Sequence, residues 1–228
     1  MLEISCWGSK MDETIADFQE RQNEIRFYYD TISHLPDADD EHKRLFKIMK
    51  ANFLLMLYNL IESTITNGFL ELYKAINDEG AAYKSIIHEL QLLWAEYEVS
   101  QIYSPTTLRK TYVKRMQEVA DIVANERKIS MEDSNLDAEG NLDARKIKNI
   151  CDHHGIRYTL SANGDCLYII KTKRNNLSHG DLSFSECGRD FTIEDLCQMM
   201  NETFTFLSDI LKGMKEYEVK KKYLISRN

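Results

Sequence analysis

The chain has 228 residues, a formal net charge of −8 and 43% hydrophobic residues, which is enough apolar sequence to build a substantial core. Its two prolines and nine glycines argue against an all-β or linker-rich protein. The longest uncharged apolar run, residues 51–61, is shorter than the roughly 20 residues of a membrane span. The N-terminus lacks the basic and apolar regions of a signal peptide. We therefore expect a cytoplasmic protein without a membrane segment.

The spacing of apolar residues predicts helices in the first third of the chain. An amphipathic helix is expected over residues 10–33, and a second helix starts near residue 39 with acidic residues in its first turn. The second helix is apolar nearly all round between Phe53 and Ile61, which is typical of a helix at the centre of a bundle. Gly68 is expected to bend it.

A third helix is expected after residues 77–80, and Ser104-Pro105 predicts the start of a fourth that runs to about Glu126. Residues 104–128 hold six basic and three acidic side chains. Three of them, Arg109, Lys110 and Lys114, are candidate contacts to a nucleic-acid backbone, although such clusters are more often a solvated helix face.

The remaining sequence predicts an acidic loop at about 129–141, a short helix at about 142–154, a motif helix and a last helix. An irregular or hairpin-like connection is expected over residues 181–190. The last helix has Thr192 as its predicted N-cap, with Asp195 three residues later in a weak capping box. The whole chain, 1–228, is thus predicted to form one all-α domain, a bundle of four to six helices whose motif-bearing part covers about 142–212. The motif helix and the last helix are expected to pack antiparallel because only a short connection joins them.

Five cysteines with wide, irregular spacing favour reduced thiols over a disulfide framework. Cys151, His153, His154 and Cys166 are the nearest approach to a metal-ligand set. They lack a Cys-x-x-Cys pair, and adjacent histidines on a helix point about 100° apart. We favour a helix C-terminus closed by Gly155 in the left-handed conformation, and we predict no metal and no other cofactor.

The most informative stretch is Lys173 to Gly180, with the sequence KRNNLSHG, because it carries an arginine, a carboxamide and an imidazole within six residues of one predicted helix. At about 100° per residue, four positions share a polar face: Tyr168, Thr172, Asn175 and His179. An apolar stripe is formed by Leu167, Ile170 and Leu177. Arg174 falls inside this stripe. Its charge therefore requires a carboxylate, a phosphate or the surface of a second subunit.

Lys173 to Gly180, followed by Phe184, Gly188 and Arg189, resembles the C-terminal half of HEPN-domain proteins, in particular a branch of HEPN-like nucleases of prokaryotic defence and mobile-element loci. The resemblance implies an all-helical, metal-independent endoribonuclease, in which the Arg-x4-His motifs of two protomers line a shared cleft. A homodimer and an RNA substrate are therefore expected. Asp181 departs from HEPN toxins that a nucleotidyltransferase antitoxin silences, since these carry Tyr at that position.

Cleavage of RNA by its own 2′-hydroxyl needs a base with a near-neutral pKa, a cation for the phosphorane charge and an orienting polar group. We assign these roles to His179, Arg174 and Asn175. Seven further side chains are candidates for RNA binding or support of the site: Lys171, Lys173, Arg109, Lys110, Lys114, Glu186 and Arg189. Residues 142–180 hold seven basic and three acidic side chains, so this acidic protein is predicted to carry positive charge around the motif.

Structural interpretations of the motif remain open: His179 as a helix-terminal residue, Arg174 as a salt-bridge anchor and Asn175 as a cap for a neighbouring loop. Glu186 and Arg189 are expected to support the site by pairing with each other or with Arg174. Two functional alternatives also remain, a non-catalytic HEPN-like module that binds RNA, nucleotide or protein, and a structural subunit of a defence complex. A cytoplasmic nuclease needs restraint, so a partner protein is expected.

Overall fold

Helix α2, Asp40–Glu79, is forty residues long and lies at the centre of the fold. The computed structural model describes residues 9, 11–35, 39–102, 109–136 and 140–225. Most side chains of α2 between Phe53 and Ile61 are buried, as their largely apolar sequence predicts, whereas Asn59 is exposed. The helix begins at Asp39, whose carboxylate accepts a hydrogen bond from the His42 backbone, and ends at Gly80 in the left-handed conformation.

Seven further α-helices form in the described residues. They are α1 (Met11–Ser33), α3 (His88–Ile102), α4 (Arg109–Ala124), α5 (Ala144–His153), α6 (Cys166–His179), α7 (Phe184–Arg189) and α8 (Ile193–Val219). Helices α1, α6, α7 and α8 all contact α2 directly, whereas α4 packs against α3 and a short 3₁₀ helix at Tyr83–Ser85. A second 3₁₀ helix covers Asp133–Asn135.

The prediction of an all-α fold is confirmed. The described residues contain no β-strand, only two isolated bridges, and none of their helices has the length and apolar character needed to cross a bilayer. The predicted number of four to six helices is too low, because eight α-helices form in the described part of the chain. Gly68, where a bend is predicted, lies within the continuous helix α2 and packs against Met214. The predicted start of the fourth helix at Ser104-Pro105 lies outside the described residues.

The connection before the last helix is helical instead of irregular or hairpin-like. Ser183 and Glu186 form a capping box that starts α7 and satisfies its first backbone N–H groups. Gly188 lets α7 lie directly on α2, since a Cβ at this position would come within 1.8 Å of the Lys47 carbonyl oxygen. The close approach of these two backbones explains why a glycine occupies the middle of a short helix.

Helix α8 begins as predicted, with a capping box between Thr192 and Asp195. Cys166, the first residue of α6, lies 3.5 Å from the hydroxyl of Thr203 in α8, whereas Lys173 two turns later pairs with Asp190 just before α8 begins. As the chain advances along α6, its contacts therefore move back towards the start of α8, in line with the antiparallel packing expected for the two helices.

The buried ring of His154 closes α5 against the core. Its Nδ1 lies 2.7 Å from the Ile150 carbonyl oxygen, and its Nε2 lies 2.7 Å from the Tyr73 hydroxyl. Because the carbonyl can only accept, Nδ1 donates and Nε2 accepts from Tyr73, which is the neutral tautomer. Burial lowers the pKa of His154 to about 4. Gly155 follows in the left-handed conformation, with φ of 69°, as predicted.

Candidate active site

Helix α6 is held by its apolar stripe, which positions the motif at its C-terminal end. Leu167 and Ile170 are fully buried and Leu177 is half-buried against the core, as the helical spacing predicts. The helix ends at Gly180, whose left-handed φ of 78° lets its backbone N–H reach the Asn176 and Leu177 carbonyls. This cap fixes where His179, the last helical residue, leaves the bundle.

Arg174 crosses from α6 to the middle of α2. Its Nη2 lies 3.5 Å from Oε1 of Glu62, and its guanidinium carbon lies 4.5 Å from the ring centre of Tyr58. The Arg174 and Glu62 side chains are each 30% exposed, so the guanidinium faces α2 on one side and remains accessible on the other. The partner required by an arginine in an apolar stripe is thus a carboxylate of the same chain. Burial raises the pKa of Tyr58, and the neighbouring Glu62 carboxylate adds to this effect.

Asn175 connects Arg174 to the loop before α5. Its side-chain oxygen accepts a hydrogen bond from Arg174 Nη1 at 3.0 Å, and its amide nitrogen donates to the Asn141 side-chain oxygen. Asn141 has a positive φ of 57°, a conformation that asparagine tolerates better than most residues. The Asn175 carboxamide therefore bonds to both the guanidinium of Arg174 and a neighbouring loop.

The two lysines of α6 before the motif are both neutralised by carboxylates. Lys171 pairs with Asp143 at 2.5 Å, and Lys173 pairs with Asp190 at 2.6 Å. Burial opposes ionisation of Asp143, but hydrogen bonds from Lys171 and from the Lys146 backbone outweigh it and lower the pKa of this carboxyl. Asp143 also caps α5. Lys171 and Lys173 thus tie α6 to its neighbours and contribute little free positive charge.

His179 is exposed, and its ring makes no hydrogen bond or ion pair with any other residue in the described ranges. Arg174 and His179 are five residues apart, so they lie about 140° apart around α6 and roughly 7.5 Å apart along its axis. Arg174 faces α2, whereas His179 faces outward. One copy of the chain therefore presents the two groups in different directions.

Glu186 and Arg189 do not pair with Arg174, contrary to one of the expectations from the sequence. The Glu186 carboxylate accepts from both the backbone N–H and the hydroxyl of Ser183, which lowers its pKa. The ion pair of Arg174 is instead with Glu62. Arg189 is exposed at the end of α7 and lines a separate cavity beside the first turns of α2.

The basic residues of α4 are not gathered around the motif. Arg109, Lys110 and Lys114 are exposed, and Lys114 lies 3.9 Å from Glu118 on the same helix. Helix α4 packs against α3 and the 3₁₀ helix at Tyr83–Ser85, and the described residues show no comparable packing against α6. The predicted concentration of positive charge near the motif therefore divides into two separate regions.

Four residues around the motif were missed from the sequence: Tyr58, Glu62, Asn141 and Asp143. Glu62 had a signal, since it is the acidic residue that ends the apolar run of α2. Asn141 follows Gly140 in a turn-prone stretch, which is a weak signal for a left-handed residue. Neither signal says which helix the side chain meets.

No group of three or more histidine, cysteine or acidic side chains that could hold a metal ion occurs among the described residues. Cys151 and Cys166, two members of the nearest candidate set, are buried, and burial raises the pKa of each thiol to about 12. His154 is occupied by Tyr73 and the backbone. These residues pack the core.

Three comparisons with known proteins were made for the full sequence. No curated protein and no solved structure gives a significant match. A family model described as HEPN_MAE_28990-like HEPN matches residues 10–223, which include nearly every element of the fold described above. The chain therefore belongs to this HEPN family.

Proposed function

We propose that the protein is a metal-independent endoribonuclease that cleaves RNA through the ribose 2′-hydroxyl. HEPN domains are frequently ribonucleases, and the chain belongs to a HEPN family. The observation that carries the proposal is the hydrogen bond from Arg174 to Asn175, 3.0 Å long, on the helix that ends at the exposed His179. A partly accessible guanidinium, oriented by a carboxamide, suits a developing phosphorane charge.

In the proposed mechanism, His179 takes the proton from a ribose 2′-hydroxyl. The 2′-oxygen attacks the adjacent phosphate, and the bond to the 5′-oxygen of the next nucleotide breaks, which leaves a 2′,3′-cyclic phosphate. The departing 5′-oxygen takes up a proton from water, and protonated His179 returns its proton to the solvent. Arg174 neutralises the charge that develops on the phosphate, and Asn175 keeps the guanidinium in place. The proposed steps use no metal, because one side chain takes the 2′-proton and another neutralises the charge on the phosphate.

We further propose that the site is shared between two copies of the chain. Arg174 and His179 point about 140° apart on one helix, so a two-fold axis beside α6 would bring one protomer's Arg174 towards its partner's His179. Exposed Tyr168, Ile169 and Phe184 supply apolar area near the motif for such a contact. A strictly monomeric species at micromolar concentration that still cleaves RNA would contradict the shared site.

Purified protein incubated with RNA and excess chelator tests the chemistry. We expect cleavage to persist, its products to end in 2′,3′-cyclic phosphate, and a DNA strand of the same sequence to stay intact. His179→Ala is expected to abolish cleavage without unfolding the protein, since the side chain is exposed. The matched control is His153→Ala, another exposed histidine near a helix end. Cleavage of DNA, loss of activity in chelator or normal cleavage by His179→Ala would each contradict the mechanism.

A second candidate function is a non-catalytic HEPN module that binds RNA, nucleotide or protein in a defence complex. It is favoured by one observation, that no described residue orients the His179 ring by hydrogen bonding. Gel shift with the same RNA, in the absence of any cleavage, would support this candidate.

An active nuclease in a defence or toxin-like setting needs a restraining partner. Co-purification of a protein that suppresses cleavage would support a defence or toxin-like role.

A further inference from the structure

A cavity of about 400 Å³ lies between the first turns of α2 and the end of α7. Five basic side chains line it: His42, Lys43, Lys47, Lys50 and Arg189. Its apolar wall consists of Leu35 and Phe46. Among the described residues that line it, none is acidic, although the whole chain carries a net charge of −8. This concentration of one charge sign makes the cavity electrostatically different from the surface as a whole.

The described acidic residues near the cavity are occupied by other partners. Asp39 accepts from the backbone and the ring of His42 at the start of α2. Glu186 caps α7, and Asp190 pairs with Lys173 of α6. Arg189 and Lys47 themselves make no hydrogen bond or ion pair with any residue in the described ranges. Neither cation therefore forms a salt bridge with a described residue, although the Glu186 and Asp190 carboxylates attract Arg189 electrostatically.

Lys50 adds a buried positive charge to the same wall. The residue is only 7% exposed, and its ammonium donates to the Phe191 carbonyl and lies 4.9 Å from the ring centre of Phe46. Burial lowers its pKa, and the like charge of Lys47 adds to this, with only partial relief from Asp195. A buried ammonium that contacts a carbonyl and a ring, but no carboxylate, is destabilised unless an anion approaches it.

We propose that this cavity binds a phosphate group with two negative charges. A single phosphodiester would compensate only part of the charge contributed by Lys47, Lys50 and Arg189, whereas a dianionic phosphate matches it better and accepts hydrogen bonds from several donors at once. The apolar wall formed by Leu35 and Phe46 gives room for the organic part of the ligand.

Two sources carry this chemistry, the terminal phosphate of a free nucleotide and the 5′-phosphate of an RNA strand. Lys47 is eleven residues before Tyr58, so the two lie on nearly the same side of α2, about 16 Å apart along its axis. Tyr58 is the ring over which Arg174 lies. A short RNA anchored by its 5′-phosphate is therefore able to extend towards the motif, whereas a nucleotide would occupy the cavity alone.

The experiment measures binding, so its outcome is independent of whether the motif cleaves RNA. Fluorescence anisotropy compares a 2′-O-methyl RNA octamer, which lacks the attacking hydroxyl, with and without a 5′-phosphate, and ATP serves as the nucleotide probe. Lys47→Gln and Arg189→Gln remove one cavity charge each. Lys84→Gln is the matched control, because Lys84 is an exposed lysine that does not line this cavity. Circular dichroism melts verify that all variants are folded.

We expect each cavity variant to weaken binding of the phosphorylated probe about tenfold or more, and Lys84→Gln to leave it unchanged. A preference of the wild-type protein for the 5′-phosphorylated octamer, lost in both cavity variants, assigns the site to RNA ends. ATP binding that is lost in both variants, without any preference for phosphorylated RNA, assigns it to nucleotides. If the wild-type protein, Lys47→Gln and Arg189→Gln bind every probe alike, the cavity is not a phosphate site and the inference is overturned.

Discussion

Replacing Glu62 by Gln tests whether Arg174 acts on a substrate or only anchors helix α6. Glu62→Gln removes the ion pair with Arg174, 3.5 Å long, but leaves the guanidinium over the Tyr58 ring at 4.5 Å. Arg174→Met removes both contacts while keeping much of the side-chain length. The two variants therefore separate loss of the carboxylate partner from loss of the cation.

The structure predicts small stability effects for both variants. A partly exposed ion pair contributes about 0.2–1 kcal/mol and a partly exposed cation–π contact about 0.5–1 kcal/mol. We therefore expect the free energy of unfolding to fall by less than about 1 kcal/mol in Glu62→Gln and by about 1–2 kcal/mol in Arg174→Met. The corresponding decreases in Tm are roughly 2–4 °C per kcal/mol, small enough for both proteins to stay folded at 25 °C.

The catalytic effects are expected to differ far more. Loss of one electrostatic stabiliser of the transition state typically costs about 10²–10³ in rate, so Arg174→Met should lower RNA cleavage by this factor. Glu62→Gln should keep a rate close to wild type, because the cation and its Asn175 partner remain. Initial rates on a fluorescent RNA at 25 °C, beside thermal melts, give both quantities. If Arg174→Met stays folded and cleaves RNA at the wild-type rate, Arg174 is a structural anchor and the proposed role is wrong.

Two further predictions concern stability. The unfolded chain protonates His154 near pH 6.5 but the folded chain only near pH 4, so the unfolded state binds more protons between these values, and stability should fall on acidification by up to roughly 3 kcal/mol. Melts at pH 7 and pH 5 should show this loss shrinking in His154→Gln but not in His153→Gln; equal losses in all proteins would contradict it. Gly188→Ala should destabilise by about 1–3 kcal/mol or more, because its Cβ would lie 1.8 Å from the Lys47 carbonyl oxygen. Gly180→Ala, with open space but a left-handed φ, should cost about 1–2 kcal/mol, and a Gly188→Ala protein with the wild-type Tm would refute the steric argument.

The local features of the fold were predictable because neighbours along the chain produce them. The Thr192 and Asp195 capping box, the buried stripe of α6 and the left-handed Gly155 each depend on residues within a few positions of one another. Helix α7 was missed although Ser183 and Glu186 carry the same signal, because its six residues are too few for a hydrophobic period. Short helices depend on packing, and Gly188 lies on a segment of α2 far away in sequence.

The candidate site was predictable only in part. Because Arg174 lies in an apolar stripe, the sequence predicted that its charge needs a partner, and a carboxylate was one of the partners considered. Nothing in the sequence identified Glu62, because Glu62 and Arg174 are more than a hundred residues apart and many acidic side chains compete for that role. The same reason explains the basic cluster on α4, whose charge was expected near the motif but which packs against α3.

By itself, the sequence determined the all-helical class and the order of Arg174, Asn175 and His179 on one helix, since these follow from period and composition. The family resemblance came separately, from the motif residues themselves. Tertiary structure alone decided that Arg174 faces Glu62 and Tyr58, that Lys171 and Lys173 are neutralised, and that a basic cavity forms between α2 and α7. Helical periodicity gives the direction of a side chain relative to its own helix axis. Which residues it meets depends on how the helices pack, and that packing is a property of the whole core.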